Sequence, residues 1–125
     1  MMERVYTPDA PTPAGHYEQA WTHAGLVFVS GQLPIDPVKR ERCTGTAAEQ
    51  AAQALHNVEA ILKAAGTGPD RVLKVTVYAS DIAEWDEVDA ACSRFFGSHR
   101  PARSVVPTHR RHYGFKVEIE ATAAL

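Results

Sequence analysis

FKVEIEATA, residues 115–123, reads as a strand: period-2 alternation puts Phe115, Val117, Ile119 and Ala121 on one face, with Lys116, Glu118 and Glu120 on the other. A short loop earlier stands a second strand-like run, PARSVVP, at 101–107. Both runs are mostly apolar, yet each carries a charge, Arg103 and Glu118, where a buried strand would hold Val or Ile. A desolvated charge costs several kcal/mol unless a partner or ligand offsets it. Arginine presents a fixed fork of donors that suits a carboxylate. A glutamate in a low-dielectric pocket can pass a proton near neutral pH. Together the two residues point to one crevice that grips a small carboxylic acid and moves a proton on it. The bland alternatives are a solvated strand face for Glu118 and Glu120, and an interface salt bridge for Arg103.

Upstream of these strands the pattern changes period. Thr46-Ala-Ala-Glu49 has capping-box spacing, and Ala48, Ala52, Leu55, Val58, Leu62 and Ala65 recur at helical intervals up to Gly66. RVLKVTVYAS, 71–80, reads as a strand. Asp81-Ile-Ala-Glu84 has the spacing of a second capping box, ahead of a helix with the apolar stripe Trp85, Val88, Cys92, Phe95 and Phe96, ending at Gly97. Near the N-terminus, Tyr17–His23 is a candidate strand, and LVFVS, 26–30, is a short apolar run ended by Gly31, Pro34 and Pro37. TPDAPTPAG, 7–15, reads as an ordered arm, and 38–45 as an exposed loop.

The order β-β-β-α-β-α-β-β defines an α+β protein, a mixed six-stranded sheet with two helices packed on one face. Two helices leave the other face bare. Leu26–Val29 and many residues of 72–79 are apolar on both sides, so the bare face calls for cover, most simply another copy of the chain.

The 125 residues suit one domain over 1–125 with a core of its own. The net charge of −2 gives no global attraction to nucleic acid or an anionic membrane. Two cysteines, Cys43 and Cys92, are too few for a secreted disulfide framework, and no run is long enough to span a bilayer. A cytoplasmic protein is the expectation. His109 and His112 have no further ligand at metal-like spacing, so no metal site is expected. There is also no phosphate loop, serine elbow or Cys-His nucleophile signature.

SGQLPIDP (30–37), YASDIAEW (78–85), Phe95-Phe96, PARS (101–104) and KVEIEA (116–121) stand in an order and spacing that resembles the RidA/YjgF family of reactive-intermediate deaminases, from about Tyr17 to the C-terminus. The resemblance implies a chorismate-mutase-like homotrimer whose sheets face inward, with active sites in the clefts between subunits. It implies hydrolysis of 2-imino and enamine acids to 2-oxo acids and ammonia without a cofactor. By it Arg103 holds the substrate carboxylate and Glu118 relays the proton. Tyr17, Ser30 and Gly31 line the pocket, although an ordinary strand tyrosine and a strand-ending glycine would read the same. Val105 stands where many relatives carry Cys; its backbone can supply the same polar contacts, but no thiol chemistry. Asp89 falls where many carry Asn, and is otherwise a helix-surface aspartate. His109–Tyr113 is more basic than the corresponding loop of relatives, and reads as a solvated turn or as a pocket rim. Two other functions remain open on the sequence: a module that binds small carboxylates without turnover, and an endoribonuclease.

Overall fold

The computed structural model describes residues 1–125. The strands are β1 (Glu3–Val5), β2 (Ala20–His23), β3 (Leu26–Gln32), β4 (Ile35–Asp36), β5 (Glu41–Arg42), β6 (Val72–Ala79), β7 (Ala102–Pro107) and β8 (Val117–Ala124). The helices are α1 (Ala47–Ala64) and α2 (Trp85–Phe96). Six strands join in one sheet in the order β1-β2-β3-β8-β6-β7. Every pair is antiparallel except β6 and β7, which run parallel and are linked through α2. The architecture is α+β with a mixed six-stranded sheet and two helices, as the sequence indicates.

The first of the three leading strands is Glu3–Val5, and β2 starts only at Ala20, so Tyr17 lies in the approach to it and not in the strand. Gly31 does not end β3. The strand runs through it to Gln32 by way of an irregular register with β8 between Val29 and Gln32. A bulge absorbs the extra residue that periodicity alone reads as a break. The 38–45 segment is not loop throughout, because Glu41–Arg42 pairs with Ile35–Asp36 as a small hairpin.

Helix α1 opens on the expected reciprocal box: Thr46 Oγ1 accepts from Glu49 N–H, and Glu49 Oε1 accepts from Thr46 N–H. The second box does not form. Asp81 Oδ1 accepts from Ala83 N–H, which closes a 3₁₀ turn over Ile82–Glu84, and α2 starts after it. Glu84 does not complete the box, and its Oε2 is buried without a partner.

The core lies between the helices and one sheet face. Leu55, Val58, Ile61 and Leu62 of α1 and Val88 of α2 meet Val27, Val75, Val77, Val117 and Ile119, all fully buried. Each such side chain contributes about 1.5–3 kcal/mol of burial. The alternation on β8 is as expected: Val117, Ile119, Ala121 and Ala123 are inside, and Glu118 and Glu120 face away.

The far face is open in the single chain. Trp21 and Phe28 are exposed there, neighbours across the β2–β3 ladder. On β6 that face carries Lys74, Thr76 and Tyr78, so 72–79 is not apolar on both sides; Leu73 is exposed where the ladder with β8 is irregular. The bare face therefore has an apolar half and a polar half.

The 7–15 arm is stitched down by one buried amide. Gln19 Oε1 accepts from Thr7 N–H, and Gln19 Nε2 donates to the carbonyls of Thr7, Ala10 and Pro11.

Candidate active site

Arg103 sits on β7, the sheet's edge, in register with buried Val75, and so points to the helix face. Its Nη1 donates to Asp89 Oδ1 of α2 at 2.9 Å, and its guanidinium lies 5.4 Å from the Trp85 ring centroid. Trp85, Asp89 and Cys92 reach it together because positions i, i+4 and i+7 share one helix face. Burial is the largest single influence and works against the Arg103 charge, but the hydrogen bonds and charge attraction of Asp89 and Cys92 together outweigh it, and its pKa is raised. Burial also pushes the Cys92 thiol up, against the pull of Arg103, which suits a packing residue and not a nucleophile. A cleft of about 530 Å³ opens beside them, lined by Asp89, Cys92, Phe96, His99, Arg100 and Arg103. Val105 lies two residues on, its side chain packed against the core. Its backbone pairs with Val77 on one side, and the other side of β7 has no strand.

Glu118 sits on β8, opposite Tyr78 of β6, on the open face. Arg111 Nε donates to its Oε1 at 3.0 Å. Its Oε2 lies against Gly31, so close that a Cβ there would collide with it. The glycine is therefore required by contact, not by backbone conformation. Beside Gly31 opens a cavity of about 240 Å³, walled by Pro11, Gly15, Tyr17, Gln32, His112 and Tyr113 among others. Tyr17 is exposed, and its hydroxyl accepts from Ala14 N–H at 3.3 Å. Ser30 Oγ donates to the Glu18 carbonyl at 2.6 Å, which ties the approach to β2 onto β3. Glu120 accepts a hydrogen bond from the Tyr78 hydroxyl, and that bond raises the tyrosine's pKa.

Tyr17, Gly31 and Glu118 thus form one group with Ser30 behind them, while Arg103 and Val105 form another. Within one chain the two groups lie on opposite faces of the sheet. Arg103 and Glu118 do not converge in a single copy. Nor does Glu118 sit in a dry pocket: its side chain is 24% exposed and paired with a cation. Sequence reasoning missed both countercharges. Asp89 was legible from its spacing to Trp85 and Cys92. Arg111 was not, because a left-handed Tyr113 turns the loop back over the sheet.

Residues 7–125 match the family model described as endoribonuclease L-PSP. The RutC family protein y4sK of Sinorhizobium fredii is 42% identical over 125 residues, covering 100% of this chain and 99% of the relative. The 2-iminobutanoate/2-iminopropanoate deaminase of Salmonella typhimurium is 38% identical over 130 residues, covering 98% of each. A solved Thermotoga maritima structure, provisionally named an endoribonuclease, superposes with a TM-score of 0.95 at 41% identity, over 100% of this chain and 98% of that one. The chain belongs to the RidA/YjgF family, whose model carries the endoribonuclease L-PSP description. Within it, the relatives' names divide between deaminase, RutC and endoribonuclease.

Proposed function

We propose that the protein hydrolyses short-lived 2-imino and enamine acids, of the kind pyridoxal phosphate enzymes release from serine or threonine, to 2-oxo acids and ammonia. The observation that carries this is Glu118, a carboxylate with one oxygen held by Arg111 and the other open over Gly31. Deaminase-named relatives at 36–39% identity support the same chemistry.

The site is completed between copies of the chain in a homotrimer. One copy brings Arg103 at its sheet edge, and the next brings Glu118 with Tyr17, Ser30 and Gly31. The exposed Trp21 and Phe28 support burial of the open face in that assembly. Arg103 holds the substrate carboxylate through donors that Asp89 leaves free. Water attacks C2, and the C=N electron pair moves to nitrogen. Glu118 takes one water proton and passes it to the nitrogen, giving a carbinolamine; it then relays the remaining hydroxyl proton to the amine, the C–N bond breaks, and ammonia leaves as the C=O forms. Imines hydrolyse unaided, so positioning and proton relay worth about 10²–10⁴-fold suffice. We read 1–125 as one domain working in the cytoplasm without a cofactor.

The test couples a threonine dehydratase to the protein and follows imine loss and 2-oxobutyrate formation. Added protein speeds imine loss, and Arg103→Ala abolishes the acceleration while assembly persists. Unchanged rates with wild-type protein defeat the proposal.

One observation favours a second reading, carboxylate binding without turnover: each key charge already has a partner, Asp89 for Arg103 and Arg111 for Glu118. Saturable binding of 2-oxo acids by calorimetry with no rate effect would establish it. Ribonuclease activity has the family description behind it, but the net charge of −2 weighs against it. RNA cleavage that survives repurification would reopen it.

A further inference from the structure

The loop ahead of β8 places a guanidinium in direct contact with the carboxylate assigned to proton relay, and that contact divides the work between its two oxygens. Arg111 is held at both ends. Its N–H donates to the Phe115 carbonyl at 2.8 Å, and its own carbonyl accepts from Gly114 N–H at 2.9 Å. At the tip, Nη1 donates to Thr108 Oγ1 at 3.4 Å, and the guanidinium stands 5.5 Å from the Tyr78 ring centroid. From that fixed base only Nε reaches Glu118, and only Oε1 is taken. Oε2 is left against Gly31, in space that any side chain at that position would fill. The other acid nearby, Glu120, is already engaged by the Tyr78 hydroxyl.

Resting on the imine-hydrolysis reading, we infer that Arg111 is a positioning residue for Glu118: it clamps Oε1 so that Oε2, over Gly31, is the oxygen that moves the proton. A glutamate carboxylate on three free torsions samples many orientations. A single clamp on one oxygen removes most of them and leaves the second lone-pair set exposed. The clamp is a charge-assisted hydrogen bond from a rigid donor, stronger and better directed than a neutral one. Arg111 does not touch the substrate in this scheme and acts only through Glu118. Its loss therefore slows the chemical step and leaves substrate affinity alone.

The experiment measures steady-state imine hydrolysis for wild type, Arg111→Leu, Arg111→Lys and Thr108→Val, with thermal unfolding as a check on folding. In Arg111→Leu, kcat falls about tenfold with KM within about twofold of wild type, and Arg111→Lys recovers part of the loss. Thr108→Val, which frees the guanidinium without removing it, gives a smaller fall in kcat and serves alone if the leucine variant does not fold. Wild-type activity with unchanged kcat in both Arg111→Leu and Thr108→Val overturns the inference and spares the imine reading. So does a rise in KM with kcat intact, which would make Arg111 a substrate contact. Wild-type protein without any effect on imine loss removes both together.

Discussion

Gly31 has no side chain, and the Glu118 carboxylate uses the vacated space. Gly31→Ala places a methyl group against Oε2, so either the carboxylate rotates away or β3 shifts. The expected result is a fall in imine hydrolysis of about tenfold or more, with the unfolding temperature little changed, measured by the coupled assay and calorimetry. The sequence marks Gly31 as notable but cannot say why, since a strand end and a close contact both ask for glycine. Glu118 is more legible, because strict alternation on β8 fixes its face. A second carboxylate sets a pH test. Burial raises the pKa of Glu84, with Lys116 pulling it down. The folded chain then holds the proton more tightly than the unfolded one. Its contribution is intact below the ordinary glutamate pKa and is lost as pH rises through the shifted value. Glu84→Gln therefore raises the unfolding temperature at pH 7, and the difference fades toward about pH 4.

Elements were readable in proportion to how local their causes are. The first turn of α1 depends only on Thr46 and Glu49, and it forms as the spacing indicates. Thr46→Ala removes one side of that box and should cost about 1 kcal/mol, read from denaturant unfolding. The same spacing at Asp81 fails because its side chain takes the Ala83 N–H while the Glu84 N–H goes to the Asp81 carbonyl, which commits the segment to a tighter turn. The β3 irregularity, the β4–β5 hairpin and the return of Arg111 to β8 all depend on partners distant in sequence or on single backbone angles. Hydrophobic period carries no trace of these. Arg103 shows the same boundary: its strand was evident, but its face became clear only through the parallel register with β6.

At the scale of the molecule, the sheet separates two halves of a proposed site that only neighbouring copies can join. Arg103→Ala and Glu118→Gln, each inactive alone, should then restore one another. Refolded as an equal mixture, they should recover about a quarter of wild-type activity, because one junction in four pairs an intact arginine with an intact glutamate. No recovery in verified mixed assemblies would place both residues in one copy's site or in none. The sequence could announce an uncovered face, since Leu26 to Val29 is apolar on both sides, but it could not say which neighbour's residue meets which. The stitched arm bears on the order of events. Gln19 binds Thr7, Ala10 and Pro11 within one chain, so the Tyr17 wall exists before any neighbour docks. The Thr7 amide, which donates to Gln19 Oε1, should thus exchange slowly even in dilute, dissociated protein, and a protease should spare the 7–11 tract for as long as Gln19 holds it.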